Sequence, residues 1–461
     1  MSSSDQKEQR ERAEVVLLFY HYVDLSGQTQ EICQHQKDVC SELSLYGRIR
    51  VTPEGLNGTL DGTHKNIAKY IQIMDAKFGA NVIDWKLAAY PSTCDKRFNS
   101  ARIQVKDEVV ALRVDENSKQ RMAEVGPGEH LSPDQFHQEL EHPVDNLVLL
   151  DVRNFYETRI GRFEYLQHSS TCIDDATAGH AVEELNNLSE LTQTDHAATP
   201  APTVVTAIDP KTRSFSDFRH YVDAHAPELT GKKILMYCTG GVRCETASAY
   251  LKCKIQEHGN AEVYQLFGGI HGYQEKYPNG FFKGKNFVYD PRVSVSAADS
   301  QLPVSSTPVE PLTDVSQVPS AVIGTCMLCT NPWDDYCSPY SRATENQTRC
   351  CYCRVLLLVC EDCKRKYATD GLVDNTSTNS FLKSLQCEMC AAGMDGNLYR
   401  GDDDDDDGGG RSIKRSSAEK LLNRDVNTES RPIVNKKEQK RQRSLLRRLS
   451  TTETEANMST H

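Results

Sequence analysis

The sequence has no stretch that predicts a secretion signal or a membrane span. Its first residues are polar and charged, without the apolar segment and cleavage site of a signal peptide. The longest apolar runs, such as residues 15–20, are far shorter than the roughly 20 residues that a membrane helix needs. We therefore expect a cytoplasmic protein with no membrane partner, in a compartment where thiols stay reduced.

The chain also lacks an excess of positive charge, a nucleotide-cofactor fingerprint and an internal repeat. Its net charge is −12, so no overall basic field draws it to nucleic acid. No glycine-rich fingerprint for flavin or nicotinamide is present. Hydrophobic residues make up 38%, which is ordinary for packed cores, and 461 residues allow about three domains.

Two different rhythms of strand and helix indicate two α/β domains. Residues 13–115 follow the order β-α-β-β-α-β, which predicts a ferredoxin-like domain, with residues 54–58 interpreted as a turn. Residues 130–293 contain continuous apolar runs such as 147–150, which are typical of strands in a parallel sheet covered on both faces. Within this second domain, about 186–211 is rich in Thr, Ala, Pro and Asp, and we predict a loop insertion there.

The rest of the chain divides by composition. Residues 294–320 are rich in Ser, Pro, Val and Asp and predict a linker, followed by a cysteine-rich module at 321–392. Residues 393–461 lack apolar periodicity and contain separate acidic and basic blocks, which are typical of a disordered charged tail. The basic block at 436–448 is interpreted either as a nuclear localisation signal or as a segment that binds RNA phosphates. The alternative is a solvated tail without a partner.

A candidate reactive loop follows the apolar strand that ends at residue 237. It reads Cys238, Thr239, Gly240, Gly241, Val242, Arg243, Cys244 and Glu245, and it opens a helix. Convergent backbone N–H groups and the positive end of a helix dipole both favour a thiolate at such a position. We therefore predict Cys238 as the reactive residue, with Arg243 adding positive charge and residues 239–242 forming a cradle. The alternative is a buried cysteine without chemistry.

The loop length disfavours phosphatase chemistry. Cysteine phosphatases place an arginine six positions after the cysteine, where it helps to hold a tetrahedral phosphate. Here Arg243 stands five positions after Cys238, and the sixth position is Cys244. The shorter loop suits a sulfur anion or another small group.

Four further residues near the loop are possible accessories. Asp151 and Arg153 end a predicted strand at the edge of the sheet where α/β proteins place their sites. They either orient the loop or the substrate, or form a structural ion pair. Cys244 either attacks Cys238 to form a disulfide or packs at the helix start. Glu245 either acts as a general base or favours the helix dipole.

These motifs together resemble the rhodanese-like superfamily, and most closely the branch of the bacterial tRNA uridine-34 hydroxylases and their eukaryotic rhodanese-domain relatives. The likeness rests on residues 54–59, 150–157, 160–163, 238–245, 267–271 and 287–293. It implies a rhodanese domain whose active cysteine is Cys238. Members of this branch hydroxylate the wobble uridine of tRNA in an oxygen-dependent reaction, and other rhodaneses carry sulfur as a cysteine persulfide.

Three functions follow from these observations. The leading hypothesis is an enzyme that modifies a tRNA uridine, as in wobble hydroxylation, with tRNA as its partner. The first alternative is a sulfurtransferase that takes sulfur from a donor onto Cys238. The second alternative is a non-enzymatic redox or RNA-binding adaptor built on the cysteine-rich module and the basic tail.

The cysteine-rich module predicts structural zinc. Ten of the 17 cysteines lie between residues 326 and 390, and eight of them form four C-x-x-C pairs. Four thiolates complete one tetrahedral zinc site, so eight would hold two ions. The spacing leaves open which pairs share an ion, and Cys337 and Cys351 compete as ligands. The predicted ligands are Cys326, Cys329, Cys350, Cys353, Cys360, Cys363, Cys387 and Cys390.

Overall fold

The computed structural model describes residues 14–89, 98–167, 203–287, 294–295, 322–336, 348–369, 382 and 384–392. The charged tail and nearly all of the predicted linker lie outside these residues, as does most of the predicted insertion. Among the helices within those ranges, none has the length and apolar character needed to cross a membrane.

The N-terminal domain is a five-stranded sheet with two helices. The sheet order is β4-β1-β3-β2-β5, in which β5 runs parallel to β2 and the other neighbours are antiparallel. This arrangement confirms the predicted ferredoxin-like fold. Its elements are β1 (Glu14–Tyr22), α1 (Thr29–Glu42), β2 (Tyr46–Thr52), β3 (Gly55–Thr63), α2 (His64–Phe78), β4 (Lys86–Ala89) and β5 (Ala101–Val105).

Strand β1 divides its side chains between two buried faces. Leu17 and Phe19 point into the core with residues of both helices, because successive side chains of a strand alternate between faces. Leu18 is 6% exposed and lies on the opposite face. A strand buried on both faces needs a second layer, and the next domain provides it.

The predicted turn at residues 54–58 is confirmed at Glu54 and wrong for residues 55–58. The chain reverses between β2 and β3, and Gly55 to Gly58 lie within β3, where Gly58 is paired with Phe19 of β1. A Cβ atom on Gly58 would lie 2.4 Å from the ring of Phe19. Glycine at this position makes room for an aromatic ring, and this packing requirement is easily mistaken for a turn signal.

The second domain contains the predicted parallel sheet. The order is β6-β11-β10-β7, with all neighbours parallel, and β12-β8-β9 form a separate antiparallel sheet. The elements are α3 (Glu116–Val125), β6 (Glu129–Leu131), α4 (Pro133–Glu141), β7 (Leu147–Asp151), α5 (Phe155–Thr158), β8 (Gly161–Gln167), β9 (Thr203–Thr206), α6 (Phe218–Leu229), β10 (Lys233–Tyr237), α7 (Val242–Ile255), β11 (Glu262–Leu266), α8 (Gly269–Lys276) and β12 (Phe282–Gly284). The short strands β13 (Asn286–Phe287) and β14 (Ser294–Val295) pair with each other, and the cysteine-rich region contains α9 (Glu361–Thr369) and α10 (Glu388–Ala391).

The C-terminal end of the predicted loop insertion is a strand. Thr203–Thr206 forms β9 and pairs with Glu164–Gln167 of β8. Val205 packs against the core on one face of the parallel sheet. Two β-branched valines among threonines favour a strand, and the surrounding proline-rich composition hid this pattern.

A buried ion pair holds the end of β7. Asp151 and Arg153 are both fully buried, with 2.6 Å between Arg153 Nη2 and Asp151 Oδ2. Arg153 also donates to the carbonyl of Gly161, and the Thr158 hydroxyl donates to Asp151. These bonds join the end of β7 to α5 and β8, so the pair stabilises the turn beside the candidate loop.

Replacement of Arg153 by methionine should destabilise the protein strongly. Asp151 would remain buried without its cationic partner, and removal of one partner of such a pair typically costs about 3–5 kcal/mol. Urea unfolding of the full chain measures this loss. As a matched control, Arg121→Met breaks a solvent-exposed pair with Glu257 and should leave the unfolding free energy nearly unchanged. Equal losses in the two variants would contradict the assignment.

Candidate active site

Cys238 lies at the carboxyl end of a central strand of the parallel sheet. Strand β10 ends at Tyr237, and α7 begins at Val242. The residue before α7, Gly241, has a φ of +100°, a conformation that side chains rarely adopt. The thiol is fully buried. The sheet edge, the tight loop and the helix start therefore meet at one sulfur atom.

The surroundings of Cys238 favour a thiolate. Burial raises the pKa of the thiol, but a hydrogen bond from the Cys244 side chain, the charge of Arg243 and backbone N–H groups at both residues lower it to about 6. The N–H of Gly241 also lies 3.2 Å from Cys238 Sγ. At neutral pH the sulfur is thus mainly ionised, which makes it a nucleophile and an electron donor.

Cys244 is held as the protonated partner of this thiolate. Burial raises the pKa of Cys244 well above its ordinary range, and the neighbouring Cys238 raises it further. The Cys244 thiol therefore donates to Cys238, so the structure places one charged and one neutral sulfur side by side. Such a pair can close a disulfide with the release of two electrons.

Arg243 is anchored by a residue that we did not predict. Its guanidinium donates to both carboxylate oxygens of Glu157, at 2.7 and 2.9 Å, and to the Thr239 hydroxyl at 3.0 Å. Although burial raises the pKa of Glu157, the charge of Arg243 and its hydrogen bonds lower it overall. Glu157 belongs to the stretch 150–157, which carries the family resemblance. That resemblance was the sequence signal that could have identified Glu157 as a site residue.

Glu245 is held by side chains of two neighbouring strands. Its carboxylate lies 2.7 Å from His130 Nε2 and accepts a hydrogen bond of 3.1 Å from Gln265. The hydrogen bond to Glu245 raises the pKa of His130. This arrangement ties α7 to β6 and β11, and supports a structural role for Glu245. The Asp151–Arg153 pair likewise stabilises the turn after β7.

The second face of the N-terminal sheet covers the loop. A Cβ atom on Gly240 would lie 2.7 Å from Leu18 Cδ2, and one on Gly241 would lie 2.8 Å from the Tyr20 hydroxyl oxygen. The Tyr22 hydroxyl shares a hydrogen bond of 3.0 Å with Thr246 in α7. The alternation of side chains along β1 indicated that this strand has a second buried face. The sequence did not show that the reactive loop packs against that face.

The eight predicted ligands form two clusters, each drawn from alternate C-x-x-C pairs. Within each cluster the sulfur atoms lie within 4.8 Å of one another. The open question of pairing is therefore answered, because pairs one and three come together, as do pairs two and four. The first cluster is Cys326, Cys329, Cys360 and Cys363, and the second is Cys350, Cys353, Cys387 and Cys390.

Both clusters have the geometry of a structural metal site. Opposing sulfurs lie 3.6 Å apart, from Cys329 to Cys360 and from Cys353 to Cys387. Backbone N–H groups point at ligand sulfurs, as in metal–thiolate turns, and the N–H of Cys360 lies 3.3 Å from Cys326 Sγ. Four thiolates fill a tetrahedral shell, so neither cluster retains an open position for substrate.

Of the two competing cysteines, Cys351 lies within the described residues and does not join a cluster. The Cys351 thiol donates to the carbonyl of Ser384 at 3.4 Å, away from the four sulfurs beside it. Cys337 lies outside the described residues.

The first cluster belongs to a region that packs against the second α/β domain, which contains Cys238. The Tyr336 hydroxyl donates to the carbonyl of Tyr156 in α5 at 2.8 Å, and Lys285 pairs with Asp334 at 2.9 Å. A small apolar core accompanies these bonds, formed by Ile160, Phe287, Tyr336, Leu356 and Leu358. Helix α5 also carries Glu157, so this region supports the anchor of Arg243.

The pH dependence of thiol alkylation should identify Cys238 as a thiolate. Trypsin cleaves after residues 233 and 243, so Cys238 is the sole cysteine of one peptide and Cys244 that of the next. We expect iodoacetamide labelling of Cys238 to reach half its maximal rate near pH 6, because the thiolate is lost below its pKa. Cys244 serves as the internal control and should react slowly. A Cys238 midpoint above about pH 8 would contradict the geometry.

Two segments of the chain match known protein families. The family described as "UPF0176 acylphosphatase like domain" matches residues 14–109. The family described as "Rhodanase C-terminal" matches residues 283–376, which include the cysteine-rich module up to its third C-x-x-C pair.

Several curated proteins are similar over much of the chain. "Rhodanese-like domain-containing protein 6" of Arabidopsis thaliana is 33% identical over 386 residues, covering 79% of this chain and 54% of that protein. The chain thus spans about half the length of this plant relative. The "tRNA uridine(34) hydroxylase" of Cytophaga hutchinsonii is 29% identical, covering 68% of this chain and 77% of its own length.

A second bacterial protein establishes the relationship. The "tRNA uridine(34) hydroxylase" of Bacillus velezensis is 30% identical over 286 residues, covering 61% of this chain and 71% of that protein. The resemblance inferred from the sequence motifs is thereby confirmed. The chain belongs to the rhodanese-domain family in which these tRNA uridine(34) hydroxylases are found.

Proposed function

We propose that this protein is an enzyme that hydroxylates the wobble uridine of tRNA, with Cys238 as its reactive residue. The observation that carries the proposal is the similarity to proteins named tRNA uridine(34) hydroxylase over much of the chain, including 71% of the length of one of them. The buried thiolate loop supports chemistry at Cys238 rather than a role as an adaptor.

The chemistry requires electrons as well as oxygen. Hydroxylation by O2 places one oxygen atom in a C–H bond of the base, and the second leaves as water after taking up two electrons and two protons. Closing a disulfide between the Cys238 thiolate and the Cys244 thiol supplies the two electrons and one proton, and solvent supplies the second proton. A thiol reductant then reopens the disulfide. Cys238 would then need Cys244 as its redox partner.

Loss of the Cys238 thiol should abolish the modified uridine. Cells that carry Cys238→Ser as their sole copy should lack the hydroxylated wobble uridine and its derivatives, because serine at this position is neither ionised nor redox-active. Nucleoside mass spectrometry of total tRNA measures this change. Cys253→Ser, which alters another buried cysteine of α7, is the matched control and should retain the nucleoside. An unchanged profile in the Cys238 variant would contradict the proposal.

Sulfur transfer is a second candidate, favoured by the N–H group of Gly241 that points at Cys238 Sγ. A cradle of this kind also stabilises the terminal sulfur anion of a persulfide. A persulfide on the peptide 234–243 after exposure to thiosulfate, together with unchanged tRNA nucleosides in the Cys238→Ser cells, would favour this function.

We further propose that the metal in both cysteine clusters is zinc. The all-thiolate donor set and the tetrahedral spacing support structural Zn²⁺, which would link distant C-x-x-C pairs and supply folding energy to a region with little core of its own. The cytoplasmic location, with the nucleus as alternative, stays a prediction. It agrees with the free thiols of all cysteines among the described residues.

The zinc content of two variants should distinguish a metal ligand, Cys350, from the adjacent cysteine, Cys351, which is not a ligand. We expect the purified chain to contain about two zinc ions, one for each cluster. Cys350→Ser should lose about half of this metal, because it removes one ligand of the second cluster. Cys351→Ser is the matched control at the adjacent position and should retain both ions. Elemental analysis measures the outcome, and equal metal loss in both variants would contradict the ligand assignment.

A further inference from the structure

A buried lysine of the N-terminal domain has no role in the site described so far. Lys86 lies on β4 and is 4% exposed. Its ammonium forms an ion pair with Asp84 and stands 5.3 Å from the centre of the Tyr20 ring. Burial of an ammonium is costly, so a lysine in this position needs a partner that recovers the cost.

The side chain of Lys86 runs over the glycines of the reactive loop. A Cβ atom on Gly240 would lie 3.5 Å from Lys86 Cδ and 3.6 Å from Lys86 Cε. Tyr20, which the ammonium contacts, meets the next glycine in the same way. The two glycines therefore serve a second purpose besides loop conformation, because their bare backbone admits a lysine and a tyrosine from the other domain.

We propose that Lys86 is a positioning residue of the Cys238 site, which supplies a second positive charge to the thiolate and closes the loop from the side of the N-terminal domain. This role deepens the proposed function, since it concerns the same cysteine. It also means that the site is assembled from both α/β domains.

The charges around the sulfur favour Lys86 as a net cation. Arg243 is matched by Glu157, a carboxylate that is itself buried, with 15% and 6% exposure of the two side chains. Asp84 is 29% exposed, whereas Lys86 is 4% exposed. Water therefore screens the carboxylate more than the ammonium, and a larger part of the lysine's charge is felt inside the site.

The other ionisable groups near the loop are neutral, or are carboxylates with partners of their own. Glu245 lies beside His130, and Glu275 lies beside His271. Cys244 stays protonated, and burial raises the pKa of Tyr20 far above its ordinary range, so neither adds charge at neutral pH. Burial lowers the pKa of Lys86 below its ordinary value, although Asp84, Cys238 and Glu275 each raise it in part.

Alkylation of Cys238 tests this role without any tRNA. In Lys86→Met the neutral side chain of similar length should raise the pKa of Cys238, so labelling of the peptide 234–243 at about pH 6 should slow about three- to six-fold. Lys86→Arg retains the charge and should stay within about two-fold of the parent chain. Thermal unfolding confirms that each variant is folded, and Lys86→Gln replaces Lys86→Met if the latter is not.

The matched control is Lys233→Met. Lys233 begins β10, whereas Cys238 follows the other end of that strand. Lys233 also pairs with a carboxylate, Glu139, and stands 5.5 Å from a tyrosine ring, but it lies far from the thiol along the strand. Because this variant loses the tryptic site at 233, Cys238 is followed in the peptide 233–243, which trypsin releases after Lys232. The labelling midpoint of Cys238 should be unchanged. Parent-like labelling in the folded neutral Lys86 variant, or equal slowing in Lys86→Met and Lys233→Met, would overturn the proposal. Neither result depends on whether tRNA is the substrate.

Discussion

The site depends on keeping a negative charge on a buried sulfur atom. Burial alone would keep Cys238 protonated, and its pKa of about 6 results from donors that outweigh this effect. Backbone N–H groups at the start of α7, the Cys244 thiol and the Arg243 charge all converge on Sγ. Because these donors belong to one tight loop, any change that relaxes the loop weakens several of them together.

The surrounding structure serves to hold that loop. Glu157 in α5 fixes the Arg243 guanidinium, and the buried Asp151–Arg153 pair fixes the turn that leads into α5. The region of the first cysteine cluster packs against the same helix through Tyr336. From the other side, the N-terminal sheet closes over the glycines. The distant parts of the chain are thus connected to the sulfur through short runs of contacts.

The sequence was sufficient to predict the two α/β domains and most of their elements, because strand and helix periodicity are local. Strand β9 was the exception, since it was predicted as part of a loop. The loop after β10 was likewise evident from Cys238 and its glycines, and the C-x-x-C pairs from their spacing. Glu157, Lys86 and the alternate pairing of the cysteines depend on packing between residues far apart in the chain, which no local pattern encodes. The prediction for Gly58 was wrong for the same reason, because this glycine makes room for the ring of Phe19 on another strand.

The central claim is that Cys238 carries out oxygen transfer to a tRNA uridine. The most direct test incubates the purified full chain with unmodified tRNA and isotopically labelled O2, and then examines the wobble nucleoside by mass spectrometry. The account predicts one labelled oxygen atom in the uridine with the parent chain and none with Cys238→Ser. Equal labelling with both chains, or a persulfide on Cys238 without any change in the tRNA, would contradict it.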